Sequence, residues 1–137
     1  MSRKVARSWA MKALYEMEIK DSVDPLFPDE FMAYHEMQDD EEQFVTNILR
    51  KYIVQKDKID GIIEEYIEDW DFERLNRLDL SILRLALLEI TNGITPVSVV
   101  INEAVELSKK YSTAISYRFI NGVLAAVVKG SSKDATN

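Results

Sequence analysis

Apolar residues recur along the chain at the three- and four-residue spacing that places them on one face of an α-helix. Only four glycines and three prolines interrupt this pattern, and no Asn-Gly turn joins two alternating apolar runs. The spacing predicts seven helices, at about residues 3–20, 29–37, 39 to at least 52, 57–70, 75–91, 96–111 and 116–129.

The segment 75–91 is the most apolar of the predicted helices, because leucine and isoleucine cover nearly every face of it. A helix that is apolar all round is typical of the centre of a bundle, so Leu85 is predicted to lie in the core. Arg84 and Glu89 stand among these leucines and are interpreted as a buried pair of structural anchors rather than a catalytic couple.

The ends of the predicted helices carry recognisable signals. Thr95 and Pro96 fit the N-cap and first position of a helix, and Gly130 is placed to end the last one. Gly122 falls inside that last helix, where glycine is unfavourable, and is interpreted as a point of close helix approach. A chain of 137 residues fits one domain. We therefore expect a single all-α domain over 1–130, a compact bundle of about seven helices, with a frayed tail over 131–137.

The formal net charge of -7 argues at first against a nucleic-acid partner, but the charges are unevenly distributed. Residues 1–15 carry four basic side chains and no acid, whereas residues 21–49 carry nine acids and no lysine or arginine. Charges farther apart than the Debye length, about 8 Å at physiological salt, are largely screened. Local patches therefore matter more than the total charge.

Groups that could support catalysis are scarce in this sequence. It has no cysteine, one histidine (His35), no phosphate-binding glycine loop and no clustered metal ligands, so we expect no enzyme activity, no cofactor and no metal. No run approaches the roughly 20 apolar residues of a membrane span, and the basic N-terminus lacks the apolar stretch of a secretory signal. The expected location is the cytoplasm.

The basic N-terminal turn is the most informative local feature. On a helix, Arg3 and Arg7 are neighbours at i,i+4, and Lys4 and Arg7 at i,i+3, so the three cations are predicted to form one patch. Cations at a helix N-terminus oppose the macrodipole, which suggests a use such as phosphate binding. The alternative is an ordinary solvated chain end. On either interpretation, removing these side chains is expected to leave stability almost unchanged.

Three ordered blocks of sequence resemble the NusB family. The first is RLNRLDLSILRLALLEI at 74–90, the second VINEAVELSKKY at 100–111, preceded by Thr95-Pro96, and the third FINGVL at 119–124. The first helix, with Ala13-Leu14-Tyr15, is similar to the arginine-rich opening of the family. The resemblance covers nearly the whole chain and is weak over 21–57.

This resemblance implies an all-α transcription antitermination factor. It implies binding of boxA-type single-stranded RNA together with NusE, a small-subunit ribosomal protein, and joining of the RNA polymerase elongation complex through other Nus factors during ribosomal RNA transcription. The positions that match the family's RNA-contacting residues are Arg3, Lys4, Arg7, Arg118 and Phe119. Tyr15 and Asp79 match positions on the NusE-facing side, and Asp79 is expected to be exposed there.

Two alternatives stay open at this point. Ala114 and Ile115 stand where the family often has an acidic pair, and the N-terminus is sparse in arginine. The chain could therefore be a helical protein–protein adaptor of the same fold with weak or no RNA binding. It could also be an RNA-binding module similar to the helical domain fused to some RNA methyltransferases. The sequence leaves the oligomeric state open, a homodimer included.

Overall fold

The computed structural model describes residues 3–67 and 70–136, with side chains described as far as Gly130, and every regular element in these ranges is helical. Six α-helices and one 3-10 turn confirm the predicted all-α bundle. They are α1 (Arg3–Lys20), α2 (Phe27–Tyr34), α3 (Asp39–Tyr66), the 3-10 turn Phe72–Arg74, α4 (Arg77–Thr91), α5 (Val97–Tyr111) and α6 (Ser116–Thr136). No helix among the described residues is both long and apolar enough to cross a membrane.

Helix α4 lies at the centre of the bundle, as its all-round apolarity predicts. Every residue from 79 to 89 is buried, and the helix packs against α1, α3, α5 and α6. Leu85 is 1% exposed, which confirms its place in the core. The helix begins after Asn76, whose side-chain oxygen accepts hydrogen bonds from the backbone N–H groups of Leu78 and Asp79.

The predicted helices at 39–52 and 57–70 are one continuous helix, α3, which is 28 residues and therefore about 42 Å long. Its start is stabilised by four acids in the first turn and by a capping box between Gln38 and Glu41. The polar stretch in its middle stays helical because Gln55 pairs with Asn92 and Lys56 with Asp60. Of these partners, only Asn92 is invisible to local spacing, since Lys56 and Asp60 are an i,i+4 pair within the helix.

Three predicted helix features are corrected by the structure. The N-cap of α5 is Pro96, so Thr95 lies outside the helix. Helix α6 continues through Gly130 to Thr136 and does not end at the glycine. The close approach expected at Gly122 occurs instead at Gly130, where a Cβ atom would collide with the ring of Tyr66; at Gly122 the space is open. The domain boundary at 130 and the frayed tail stay predictions.

Buried charged side chains hold α1, α3 and α4 together. Arg84 and Glu89 are both buried, as expected, but they do not pair with each other. Arg84 donates to both carboxylate oxygens of Asp60 at 2.9 Å and to Glu18 at 3.2 Å. Burial alone would lower the pKa of Arg84, but its hydrogen bonds and charges, Asp60 first among them, raise it. Among the described residues, no buried side-chain nitrogen or oxygen lacks a partner.

Candidate nucleic-acid interface

The three N-terminal cations do not form the single exposed patch that helical spacing predicts. Arg3 is exposed, and its guanidinium lies 4.7 Å from the centre of the Phe44 ring on α3. Lys4 is exposed and pairs with Glu103 of α5 at 3.1 Å. Arg7 is only 4% exposed. The solvent-facing charge of this helix end therefore comes from Arg3 and Lys4.

Arg7 is held in a buried ion pair with Glu89 of α4. Its Nε and Nη2 atoms each donate to the Glu89 carboxylate at 2.9 Å, and the Thr95 hydroxyl donates to the same carboxylate at 2.7 Å. A two-point pair of this kind is strong and directional. Because the guanidinium is used to join α1 to α4, the geometry argues against direct contact between Arg7 and a phosphate.

Of the two residues assigned to the NusE-facing side, Asp79 lies deeper than expected. Asp79 is 6% exposed, so the predicted exposure is wrong. Its carboxylate accepts hydrogen bonds from Ser112 at 2.6 Å and from Ser116 at 3.0 Å, which ties α4 to the loop between α5 and α6. Tyr15 is half-buried on α1. Their contact with a partner stays a prediction.

Arg118 and Phe119 lie in the first turn of α6 and differ in exposure. Arg118 is exposed, and its Nε atom donates to the hydroxyl oxygen of Tyr117 at 3.1 Å. Phe119 is half-buried and meets Trp70 edge to face, with ring centres 5.4 Å apart. This is the part of the predicted set where an accessible cation and an aromatic ring stand side by side.

The structure adds a basic–aromatic stripe that sequence reasoning missed. Lys12 of α1 and Lys110 of α5 flank the ring of Tyr111, at 5.3 and 5.1 Å from its centre. Lys109 and Arg118 lie 5.1 and 5.6 Å from the ring centre of Tyr117. We name this set the basic–aromatic stripe; its members are Lys12, Lys109, Lys110, Tyr111, Tyr117 and Arg118. The clue in the sequence was the pair of short motifs KKY and YR on either side of the loop between α5 and α6.

The hydroxyl group of Tyr111 has a lowered pKa within the stripe. Its hydroxyl and the Ser8 hydroxyl form a hydrogen bond at 3.4 Å. That bond, aided by the neighbouring positive charges of Lys110 and Lys12, lowers the pKa of Tyr111 against the opposing effect of partial burial. Lys110 and Lys12 thus lie close enough to Tyr111 to favour negative charge there, which suits an anionic ligand.

A groove of about 640 Å³ opens next to the stripe, between α6 and the 3-10 turn. Its apolar lining is Trp70, Leu75, Ile115 and Phe119, and its rim carries Arg74 and Arg118. We name it the Trp70 groove. Trp70 and Ile115 are unusually exposed for large apolar side chains, at 64% and 72%. Sequence analysis singled out Trp70 only as part of an apolar helix face, and the end of α3 at Tyr66 places it on the surface instead.

Other candidate chemistry is not supported by the described residues. His35 is not a free surface histidine, because its ring packs 4.4 Å from that of Phe31 and 4.8 Å from that of Trp9. Across the parts of the chain that the structure describes, no three side chains of the metal-ligating types converge on one point. The stripe and the groove are therefore the candidate site.

Comparisons with known proteins agree with the helical architecture. A family model described as the NusB family matches residues 4–129. The transcription antitermination protein NusB of Finegoldia magna is 43% identical over 130 residues, covering 94% of this chain and 95% of that protein. The corresponding protein of Acetivibrio thermocellus is 37% identical, covering 94% and 90%.

Two solved structures are similar over nearly the whole chain. A structure of T. maritima NusB superposes with a TM-score of 0.85 at 28% identity, covering 94% of this chain and 92% of that one. A crystal structure of antitermination factors NusB and NusE in complex with dsRNA superposes with a TM-score of 0.80 at 27% identity, covering 93% and 96%.

Proposed function

The chain belongs to the NusB family, and on that premise we propose that it is a transcription antitermination factor. In this role it binds boxA-type single-stranded RNA together with the ribosomal protein NusE and helps RNA polymerase transcribe ribosomal RNA operons. It reaches the elongation complex through other Nus factors and acts in the cytoplasm. It is a regulatory binding protein, and its relatives are described as antitermination proteins rather than enzymes.

The observation that carries the RNA-binding part of this proposal is the basic–aromatic stripe. In a chain with a net charge of -7, four cations from three helices converge on two tyrosine rings. Cations contact phosphates, and aromatic faces stack on unpaired bases, so this combination suits single-stranded RNA. Arg3 and Lys4 are proposed as further phosphate contacts at the start of α1.

The similar structure that contains NusE is a complex with dsRNA. The test therefore has to compare single-stranded with double-stranded RNA. We propose a titration of the chain with a boxA-type single strand and with the matched duplex, each with and without NusE, at several salt concentrations. Tighter binding of the single strand, strengthened by NusE, is expected. Each phosphate contact on a single strand should contribute a slope of about -0.7 to log K against log salt.

A matched pair of variants connects the measured affinity to the stripe. Replacing Lys109 and Arg118 with alanine should weaken RNA binding and make the salt slope shallower by up to about 1.4, twice the value for one phosphate. Replacing Arg50 and Lys58, two cations of α3 outside the stripe, removes the same charge and should leave the slope unchanged. Equal losses in both variants would show that only net charge matters.

A helical adaptor without direct RNA contact is the second candidate, and the burial of Arg7 favours it. One of the three N-terminal cations assigned to RNA is used inside the protein, which reduces the basic surface. Under this alternative the chain binds NusE with full affinity, and RNA affinity appears only in the presence of NusE. The same titrations separate the two candidates.

A further inference from the structure

We propose that the Trp70 groove binds one unpaired RNA base, stacked on the Trp70 indole, with Arg74 and Arg118 contacting the phosphates on either side of it. This inference rests on the proposed RNA-binding function and adds a binding site to it. The residues that carry it are Trp70, Arg74 and Ile115, which belong to neither the basic–aromatic stripe nor the N-terminal cations.

The position of Trp70 is defined although its ring is exposed. Its backbone N–H donates to the Ile67 carbonyl at 3.1 Å, and the 3-10 turn Phe72–Arg74 follows it closely. The indole is also supported edge to face by Phe119. A tryptophan held in place with most of its surface in water is a ready stacking platform, since little conformational freedom is lost when a base covers it.

The groove has the size and chemistry of a site for a planar aromatic group. Its volume of about 640 Å³ falls within the range of small-molecule sites, roughly 300–1,000 Å³. Ile115 and Leu75 also line the groove and add to its apolar surface. Asn76 also lines the groove; its side-chain oxygen caps α4, which leaves its NH₂ group to donate to a base edge.

The charges at the rim favour an anionic ligand over a basic or neutral segment of protein. Arg74 is 88% exposed at its side chain, and its nearest acidic partner is Asp71, at 3.8 Å. Arg118 is exposed at the other side of the groove and is also part of the basic–aromatic stripe. An RNA strand that follows the stripe therefore reaches the groove without a gap in positive charge.

Among the described residues that line the groove, the one carboxylate is Asp79, and it is buried and hydrogen-bonded within the protein. Both of its oxygens accept hydrogen bonds from serine hydroxyls, and the group is buried. Among the described lining residues, two cations are accessible and no carboxylate is, and the exposed Asp71 lies beside Arg74 outside this lining. This complementarity, together with the aromatic ring, matches a nucleotide within a single strand.

Fluorescence of Trp70 provides a direct test. The chain has two tryptophans, so the Trp9→Phe variant emits from Trp70 alone. A boxA-type single-stranded oligoribonucleotide should quench this emission as it binds. The Trp70→Phe variant, which keeps Trp9 against Phe31 and His35, should bind the same RNA without comparable quenching.

Affinity measurements with abasic RNA identify the base. Trp70→Ala should weaken binding of the intact oligonucleotide by about 5- to 150-fold, the range measured for one base stacked on an aromatic side chain. In a series of oligonucleotides that each lack one base, Trp70→Ala and the unaltered chain should bind equally only where the missing base is the stacked one. Tyr34→Ala removes an aromatic ring of α2 that is more exposed than Trp70, at 84% against 64%, and should leave the affinity unchanged.

A second pair of variants tests the groove without touching Trp70. Arg74→Glu reverses a charge at the groove and should weaken RNA binding about tenfold or more. Lys58→Glu makes the same charge reversal on α3 outside the groove and should have little effect. Circular dichroism of each variant checks that the helical fold is retained.

Several results would overturn this inference. If RNA binds but neither the Trp70 emission nor the affinity of Trp70→Ala changes, the groove is not a base site, and the RNA-binding function stands. If NusE alone quenches Trp70, the groove is a protein-docking surface. If Trp70 emission changes as the protein self-associates without RNA, the occupant is a second copy of this chain. If the unaltered chain binds no RNA with or without NusE, the proposed function itself fails.

Discussion

Arg7 and Arg118 were both expected to contact RNA, and the structure places them in opposite environments. Arg7 lies between α1 and α4 with its Nε and Nη2 atoms bonded to Glu89, whereas Arg118 lies on the surface beside Tyr117 and the Trp70 groove. The same residue type therefore supports the fold in one region and is available to a ligand in the other. The difference depends on a carboxylate 82 positions away in the sequence.

Charged residues at the α1–α4 interface contribute to stability, whereas those of the basic–aromatic stripe are proposed to contribute to binding. At the α1–α4 interface, removing one partner leaves a buried charge without compensation, which strongly destabilises a protein. On the exposed stripe, removing a cation affects mainly the attraction of phosphates, because surface charges contribute little to folding. Substitutions in the two regions should therefore divide into those that change unfolding and those that change RNA affinity.

Arg7→Ala is expected to give the largest effect, a loss of about 3–5 kcal/mol in the free energy of unfolding, because Glu89 is left buried and unpaired. The sequence-based expectation of almost unchanged stability is thereby reversed. Denaturation by urea gives the measurement. The double variant Arg7→Leu/Glu89→Leu should recover most of the loss, and a loss below about 1 kcal/mol in Arg7→Ala would contradict the buried pair.

Leu85→Ala tests the apolar part of the same central helix and should lower the free energy of unfolding by about 2–5 kcal/mol. The truncated side chain leaves a cavity in the core, because Leu85 is only 1% exposed. Val54→Ala, at a residue 84% exposed on α3, is the matched control and should change stability by less than about 0.5 kcal/mol. Similar losses in both variants would show that α4 is not the centre of the bundle.

Asp79→Ala should lower the free energy of unfolding by about 1–3 kcal/mol, because Ser112 and Ser116 lose their shared acceptor. The carboxylate also lies in the first turn of α4, where negative charge is favourable. NusE affinity measured on the folded variant by calorimetry then tests the predicted partner role. A change in affinity without any loss of stability would indicate that Asp79 is exposed after all.

Replacing Arg3 and Lys4 together with alanine should have the smallest effect on folding, below about 1 kcal/mol, because the Lys4–Glu103 pair is on the surface. If these two cations contact phosphates, the salt slope of RNA binding should become shallower by up to about 1.4. Thermal unfolding and RNA titration on the same sample compare the two quantities. An unchanged salt slope would mean that RNA contacts the stripe and that the start of α1, with Arg3 and Lys4, is only a solvated helix end.

Much of the fold could be predicted from local spacing, and the errors have a common origin. The positions of α1, α4 and α5 followed from apolar periodicity, since those helices bury one or more continuous apolar faces. Two helix boundaries were predicted wrongly, the break in α3 and the end of α6 at Gly130. Both lie where the helix contacts a residue from another element, which local spacing does not show. Gln55 pairs with Asn92, and the ring of Tyr66 fills the space beside Gly130.

The candidate site was less predictable than the fold. Arg118 and Phe119 came from the resemblance to the NusB family, but nothing in the local sequence distinguishes Arg7 as buried. Sequence spacing does not single out Tyr111 and Tyr117, because a tyrosine at helical spacing fits both a core and a surface. Trp70 was assigned to an apolar helix face, and only the end of α3 exposes it.

By itself, the sequence determined that this protein is an all-helical bundle around the segment 75–91, that its charge is divided into basic and acidic regions, and that it belongs with NusB proteins. Periodicity within one or two helical turns suffices for the helical bundle, and composition along the chain suffices for the division of charge. The family follows from the resemblance of three sequence blocks. The tertiary structure alone decided which cations are used inside the protein and which face solvent. Ion pairs such as Arg7–Glu89 and ring clusters such as Lys12–Tyr111 join residues far apart in the chain, and their energies depend on burial that only packing creates.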